Sequence, residues 1–212
     1  NMNKINTPLV IVANGEFPKN KIPLKILKSA KYIISCDGAT DKLLKNGFEP
    51  NRIIGDLDSI SIKSKNKYHH IIIKTPNQSE NDLRKAINYV LKNNINKFSI
   101  LASTGNRDDH TLGNIFSLFK YNDSDITIYT ESGTFKLMND KEKKFNSFFN
   151  QHVSIFSIDK SIKISSKNLK YNFNKNTLST LFYGTLNKSL SDFFTLSISH
   201  GNLLIYQSYN EN

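Results

Sequence analysis

The sequence predicts a mostly parallel α/β domain followed by a smaller antiparallel β-sandwich. Apolar strand-like runs alternate with helix-like runs from Leu9 to Tyr129, which is the pattern of a parallel sheet with helices on its faces. After Ser132-Gly133 we find no convincing helical pattern, and short alternating runs separated by Asn, Ser and Gly turns take over. We therefore predict two domains, 1–132 and 133–212.

The first domain has a predicted Rossmann-like order of strands and helices. Each strand is a short apolar run, and each helix carries apolar residues at helical spacing. The predicted strands are Leu9–Val12, Tyr32–Ser35, Arg52–Ile54, Ile71–Ile73, Phe98–Leu101 and Ile126–Tyr129. The predicted helices are Ile22–Ala30, Thr40–Lys45, Ser79–Lys92 and Thr111–Phe119, and Ser79–Lys92 has the clearest apolar face.

The second domain is predicted from four alternating runs with turn residues between them. These runs are Val153–Ile158, Ser161–Ile164, Phe193–Ile198 and Leu203–Tyr206. Alternation of apolar and polar residues is typical of strands with one buried face, so a small antiparallel sandwich is expected.

The composition limits the classes of function. The net charge of +11 is compatible with anionic substrates, nucleic acid or an anionic membrane surface. The lysines are scattered, which favours a solvated basic surface over a nucleic-acid patch. No run approaches the ~20 apolar residues of a membrane span. Cys36 is the single cysteine and residues 1–8 lack a signal-peptide pattern, so we expect a cytoplasmic protein. Because the lysines are scattered and no apolar run is long enough, we expect neither nucleic-acid nor membrane partners.

The strongest local feature is the acidic segment 55–59, Gly-Asp-Leu-Asp-Ser, which follows a predicted strand. In an extended backbone alternate side chains point the same way, so Asp56 and Asp58 can face one magnesium ion. Asp82, in the first turn of the clearest helix, is a candidate third ligand. The alternative interpretations are a turn with two solvated aspartates and an acid that interacts with the helix dipole.

Two further motifs follow strands and suggest phosphate binding. Segment 103–110 combines a small-residue turn with Arg107, whose guanidinium can bind phosphate, and with Asp109 and His110 as acid–base candidates. The pair Asp37-Gly38 either lets a ligand approach the backbone or forms a simple turn. The common glycine-rich nucleotide loops do not occur in the sequence, so a nucleotide, if one is used, is not bound by those loops.

The ordered set of motifs resembles the thiamine pyrophosphokinase family. The resemblance extends over nearly the whole chain, more loosely in the second half. Its members are Asn14-Gly15, Asp37-Gly38-Ala39, the segments 55–60, 81–86 and 105–110, Asn114, and the later segments 169–171, 184–187 and 201–204. It implies transfer of the pyrophosphoryl group of ATP to the hydroxyl of thiamine, by attack on the β-phosphorus with AMP leaving. It also implies a homodimer, with ATP and magnesium in the first domain, and thiamine between the domains and across the dimer interface.

The resemblance also implies roles for single residues. The magnesium and phosphate centre would be Asp56, Asp58 and Asp82, supported by Asp37. The nucleotide side would comprise Asn14, Asp37, Gly38, Lys85, Gly105, Arg107 and His110, with Lys85 and Arg107 at the phosphates. Asp109 would lie near the reacting hydroxyl as the general base, unless an early transition state needs no strong base. Tyr171 and Asn187 are the candidates for the thiamine side.

Four positions depart from the family pattern. Asn106 and Asn168 stand where glycines are common, and asparagine tolerates unusual backbone angles. Leu186 stands where serine is common in the family, and Lys188 stands where an acid is frequent. Both positions belong to the acceptor side, so the identity of the acceptor is the expectation that they weaken. These departures leave another hydroxymethyl heterocycle, such as a pterin, as an alternative acceptor. The basic charge leaves a protein of a different class, a nucleic-acid-binding module, as the second alternative.

Overall fold

The chain forms two compact units in a computed structural model that describes residues 5–75 and 79–210. The first unit contains the described residues up to Phe116 together with Ser124–Glu131, and the second contains Ser117–Asp123 and the described residues from Ser132 onward. The segment 117–123, which the sequence analysis assigns to the first domain, therefore packs with the second unit. The first four residues, which belong to the segment compared with a signal peptide, lie outside the described residues.

The sheet of the first unit is parallel, as predicted. Its strands are β1 (Leu9–Val12), β2 (Tyr32–Cys36), β3 (Arg52–Gly55), β4 (Ile72–Lys74), β5 (Lys97–Leu101) and β6 (Asp125–Tyr129). They pair in the order β6-β5-β1-β2-β3-β4, and every pairing is parallel. Parallel strands are covered on both faces, which explains why β1 and β2 are buried along their whole length.

Five α-helices belong to the first unit within the described ranges. They are α1 (Lys21–Ser29), α2 (Ala39–Lys45), α3 (Ile62–Lys67), α4 (Asp82–Lys92) and α5 (Asp108–Phe116). A 3-10 turn, His69–Ile71, precedes β4, and another, Ser117–Tyr121, occupies the end of the predicted helix Thr111–Phe119. Helix α3 was not predicted because its sequence lacks an apolar face. Ser61 precedes the helix and its side chain caps it, and Asp41 accepts hydrogen bonds from Ser61 and Ser64.

Helix α4 shows how the sequence sets one edge of the site. Its buried residues include Leu83, Ile87 and Val90, the apolar face that the periodicity predicts. The helix starts at Asp82 rather than Ser79, because the Asn81 side chain accepts the backbone N–H of Arg84 and caps the first turn.

The second unit is a two-sheet antiparallel sandwich, as predicted. Its strands are β7 (Gly133–Met138), β8 (Glu142–Asn146), β9 (His152–Phe156), β10 (Ile164–Lys167), β11 (Asn174–Asn176), β12 (Asn187–Lys188), β13 (Phe193–Ile198) and β14 (Leu203–Ser208). One sheet has the order β12-β9-β14-β7 and the other β11-β10-β13-β8, with antiparallel pairing. Buried side chains from both sheets form one core, in which Phe145 stacks on Phe194 at a centroid distance of 4.9 Å.

One predicted strand of this unit differs from the observed one in an instructive way. Strand Phe193–Ile198 has the predicted bounds, whereas the predicted Ser161–Ile164 is wrong and the strand begins at Ile164. The side chain of Asp159 accepts the backbone N–H and the hydroxyl of Ser161, so that residue lies in a turn. No described helix is long and apolar enough to cross a membrane.

Backbone angles give a first testable consequence. Asn168 has a φ of 62°, and a residue with a Cβ other than asparagine or aspartate loses about 1 kcal/mol there. We expect Asn168→Gly to be at least as stable as the wild type and Asn168→Ala to be less stable by about 1 kcal/mol. At the neighbouring strand residue Lys167 the order should reverse, with alanine more stable than glycine. Urea unfolding measures the stability of the four variants. If alanine and glycine have the same order of stability at positions 168 and 167, the left-handed conformation of Asn168 is contradicted.

Candidate active site

Three carboxylates converge at the carboxyl end of the first unit's sheet. Asp37 follows β2, Asp56 follows β3, and Asp82 opens α4. One potential metal-ligand atom from each lies within 4.8 Å of the others. The strand-end positions predicted this meeting for Asp56 and Asp82, and the sequence analysis gave Asp37 a supporting role.

Gly55 makes room for this cluster. A Cβ at this position would lie 2.8 Å from the Cβ of Asp37 and 3.0 Å from Oδ2 of Asp82. The first approach is closer than real Cβ atoms make and the second is tighter than most of them, so a side chain at residue 55 would displace the two aspartates.

Asp37 holds the acidic segment in place by accepting hydrogen bonds from backbone N–H groups at its end. Its residue is 2 % exposed, and its two carboxylate oxygens accept the backbone N–H groups of Ser59 and Ile60 at 2.9 and 3.0 Å. Burial raises the pKa of the Asp37 carboxyl, and the nearby charges of Asp82 and Asp56 raise it further, while the two backbone N–H groups oppose this. Asp37 is therefore both a tether for the segment and a member of the cluster.

Asp82 is paired with a buried lysine. The Lys85 ammonium lies 3.0 Å from Oδ1 of Asp82, and the lysine side chain is only 5 % exposed. Burial raises the pKa of the Asp82 carboxyl although Lys85 lowers it, and Asp56 and Asp58 add to the rise. The single ammonium of Lys85 cannot balance three carboxylates. The cluster therefore keeps an excess of negative charge, which a divalent cation can offset. The oxygen-only set of donors suits magnesium.

Asp58 was predicted to lie beside Asp56 on an extended backbone, and the backbone differs from that prediction. The intervening Leu57 has a φ of 72°, so the backbone between them is not extended. Asp58 is exposed, and its backbone N–H donates to Oδ1 of Asp56 at 3.3 Å. Among the described residues, the three carboxylates whose oxygens lie within 4.8 Å of one another are those of Asp37, Asp56 and Asp82, so Asp58 is not one of them.

A cavity of about 280 Å³ adjoins Asp82. Most of the predicted nucleotide-side motifs reach it. Its lining includes Asn14, Gly15, Asn81, Asp82, Ser103, Gly105, Asn106, Arg107, His110 and Asn114. Gly38, which was also predicted there, packs instead beside Asn14 and Ser59, where a Cβ would lie 2.7 Å from the Asn14 Nδ2 atom.

The two loops that form one wall of the cavity are joined through their backbones. The N–H of Gly15 donates to the carbonyl of Ala102 at 2.7 Å, and the N–H of Glu16 donates to that of Thr104 at 2.9 Å. A Cβ on Gly15 would lie 2.3 Å from the Thr104 oxygen, so this position requires glycine. The Lys42 ammonium donates to the carbonyl of Gly15 at 2.9 Å and so fixes the same loop from α2.

Arg107 and Asp109 form an exposed bidentate pair at the cavity mouth. The guanidinium donates from Nε and NH2 to the two Asp109 oxygens at 3.1 and 2.6 Å. This hydrogen bonding lowers the pKa of Asp109 to about 2, which makes its carboxylate a weak base. Asn106, between Gly105 and Arg107, has a φ of 71°, the conformation that asparagine was expected to tolerate.

A chain of amides connects the start of α4 to the loop after β5. The Asn81 Nδ2 atom donates to Oδ1 of Asn114 at 2.9 Å, and the Asn114 Nδ2 atom donates to the carbonyl of Ser103 at 2.8 Å. The sequence analysis listed both asparagines in motifs without giving them a role. The signals that could have found them are a capping residue directly before Asp82 and a polar residue on the buried face of α5.

The thiamine-side candidates lie in the second unit. Tyr171 is 58 % exposed, with its ring free of the core. Asn187 is buried and accepts the backbone N–H of Tyr171 at 3.0 Å, while its Nδ2 atom donates to the Tyr171 carbonyl at 2.8 Å. The Asn187 amide therefore positions the loop that carries Tyr171.

The space at Gly55 can be tested by filling it. We expect Gly55→Ala to separate Asp37 from Asp82 and to weaken divalent-cation binding about tenfold or more, because a buried charge cluster tolerates little displacement. Manganese binding followed by electron paramagnetic resonance measures the loss. The matched control is Gly113→Ala, whose Cβ would meet nothing within 4 Å and which lies in α5. The control should bind manganese normally, and equal binding by Gly55→Ala would disprove the role of the glycine.

Comparison with solved structures identifies relatives of this fold. Solved structures of thiamin pyrophosphokinases from Geobacillus thermodenitrificans and Candida albicans superpose with TM-scores of 0.80 and 0.79. They are 21% and 17% identical and cover 96% and 95% of this chain, with 98% and 89% of their own chains covered. At this identity they establish the fold.

Curated relatives show the same affiliation in sequence. Thiamine pyrophosphokinase of Bacillus subtilis is 29% identical over 154 residues, which are 65% of this chain and 71% of the relative. Thiamine pyrophosphokinase 2 of Arabidopsis thaliana is 30% identical over 154 residues, 61% of this chain and 57% of the relative. The alignment thus spans little more than half of the plant protein.

Two family models match successive parts of the chain. The model described as "Thiamin pyrophosphokinase, catalytic domain" matches residues 24–130, and the model described as "Thiamin pyrophosphokinase, substrate-binding domain" matches residues 133–206. The chain belongs to the thiamin pyrophosphokinase family.

Proposed function

We propose that this protein transfers the pyrophosphoryl group of ATP to the hydroxyl of thiamine, giving thiamine diphosphate and AMP. The observation that carries the proposal is a three-carboxylate cluster beside a polar cavity, in a chain matched by both family models. The comparisons give no support to a pterin acceptor or to a nucleic-acid-binding module, the two alternatives that the sequence left open.

Magnesium fits the cluster, and Asp37, Asp56 and Asp82 are the residues that would hold it. The fit rests on the carboxylate donors, on their spacing and on the excess negative charge that Lys85 leaves uncompensated. When bound, the ion supplies charge neutralisation for the triphosphate and for the leaving group. Asp58, at the exposed edge of the segment, would act through the water around the metal and the phosphates.

The cavity would hold the phosphate chain of ATP. Arg107 supplies a guanidinium, and the turn at Gly105 and Asn106 exposes backbone toward the same space. His110 and Asn14 line the cavity and are proposed to contact the nucleotide. Lys85 is held by Asp82, so its ammonium acts by offsetting part of the negative charge of the carboxylate cluster.

The proposed step is a single displacement. The thiamine hydroxyl oxygen forms a bond to the β-phosphorus, the bond from that phosphorus to the oxygen shared with the α-phosphorus breaks, and AMP leaves with the electron pair. The hydroxyl proton is lost to a base or to water. Positioning and charge neutralisation dominate such phosphoryl transfers, and the residues around the cavity serve these two tasks.

The pairing of Asp109 with Arg107 favours the interpretation without a strong base. A carboxylate with a pKa of about 2 accepts a proton poorly at neutral pH. We therefore propose that Asp109 orients the guanidinium of Arg107 toward the phosphates and that the proton leaves late.

The second unit is proposed to contact thiamine and a second copy of the chain. Large apolar side chains are exposed in one stretch of it, including Phe182, Tyr183 and Leu186 at 66%, 62% and 82% exposure. Exposed apolar groups in such number favour an interface. Tyr171 offers a ring for stacking on thiamine, held by Asn187. A homodimer and a cytoplasmic location remain predictions.

Activity can be tested directly by AMP release in the presence of ATP, magnesium and thiamine. We expect thiamine-dependent AMP, and Asp56→Ala should lower kcat by about 100-fold or more because it removes a ligand from the cluster. The matched control is Asp140→Ala, an exposed aspartate whose ion pair with Lys143 lies at the surface. AMP release without dependence on thiamine, or full activity of Asp56→Ala, would refute the proposal.

The pH dependence distinguishes the two roles of Asp109. Its lowered pKa means that the ion pair is complete above about pH 4 and is lost only as the pH falls toward 2. We expect Asp109→Asn to change the size of kcat/KM while leaving the shape of its profile between about pH 5 and 9 unaltered. If an acid limb of the wild-type profile disappears in Asp109→Asn, the carboxylate is the general base instead.

A further inference from the structure

Ser103 lines the cavity, and its hydroxyl has no hydrogen-bond partner among the described residues. The residue follows Ala102 after β5, lines the cavity beside Asp82, and is 2 % exposed. Among the described residues, no group accepts from or donates to its Oγ atom, which has less than 1 Å² of accessible surface. Buried hydroxyls normally have a hydrogen-bond partner, so an unpaired one next to a cavity points to a ligand that supplies it.

The backbone around this hydroxyl is fixed. The carbonyl of Ser103 accepts Nδ2 of Asn114 at 2.8 Å, and Ala102 has a φ of 54°, a strained conformation for alanine. The carbonyl of Ala102 is in turn bound by Gly15. With its main chain held on both sides, Ser103 changes the position of its hydroxyl only by rotating its own side chain, beside the cavity that the residue lines.

The chemistry of the cavity indicates what kind of ligand would pair with it. Both polar atoms of the Asn81 side chain are engaged, with Arg84 and Asn114, so Asn81 provides no free acceptor. Arg107 contributes a cation, and Asp82 contributes an acceptor that Lys85 and the metal would use. The cavity thus contains a hydroxyl that lacks an acceptor and a guanidinium that carries positive charge. An anionic oxygen of the ligand suits both groups.

We propose that the Ser103 hydroxyl donates a hydrogen bond to a phosphate oxygen of the nucleotide in this cavity. Ser103 is thus a further nucleotide-binding residue of this chain. The inference rests on the proposed function because it takes the occupant to be ATP.

The test is Ser103→Ala, measured by calorimetric binding of magnesium with a non-hydrolysable ATP analogue, and separately with tripolyphosphate. A hydrogen bond to a charged oxygen predicts about tenfold weaker binding of both ligands by the variant. The melting temperature of the ligand-free variant should rise by roughly 2 °C, because the unpaired hydroxyl is gone. Opposite signs for stability and for binding distinguish a ligand contact from a structural role.

Tyr32→Phe is the matched control. The Tyr32 hydroxyl is also buried without a described partner, but Tyr32 does not line the cavity. This variant should gain stability similarly and bind both ligands as the wild type does. Weaker binding by Ser103→Ala alone supports the inference. Equal binding by wild type and Ser103→Ala overturns it and leaves the proposed function intact, whereas a wild type that binds neither ligand overturns both.

Discussion

The close packing of Asp37 and Asp82 against Gly55 is the constraint on which the site depends. Parallel strands bring their carboxyl ends to one edge of the sheet, and a residue without a side chain lets the neighbouring carboxylates approach. The arrangement is electrostatically costly without a cation, because burial and mutual repulsion raise the pKa values of Asp37 and Asp82. The position of this cluster beside a polar cavity supports the proposal that the site binds a cation together with an anionic ligand.

Hydrogen bonds from other elements stabilise this packing. Asp37 holds the segment after β3 by two backbone N–H groups, and the Asn81–Asn114 pair joins α4 to the loop after β5. These groups are themselves buried or capped, so the candidate ligands are set by rigid strands and helix starts rather than by flexible loops. The hydroxyl of Ser103 differs from these groups, because it has no partner among the described residues.

Much of the fold and most of the site were accessible from the sequence, for physical reasons. Continuous apolar runs identified the buried parallel strands, and motifs placed directly after them had to meet at one sheet edge. The missed features depend on tertiary contacts. Strand β8 was hidden because Phe145 is its one buried residue among charged neighbours, and α3 because caps rather than an apolar face define it. The left-handed Leu57 could not be foreseen, and it removed Asp58 from the cluster while Asp37 took its place.

The most direct test of the central claim is where a divalent cation binds. Crystals grown with manganese and a non-hydrolysable ATP analogue would locate the ion by anomalous scattering. The account predicts a peak bound directly by carboxylate oxygens of Asp56 and Asp82, with Asp37 as a direct or water-linked partner, at about 2.0–2.3 Å for direct bonds. A bound nucleotide with manganese held elsewhere, and no peak among these three carboxylates, would contradict it.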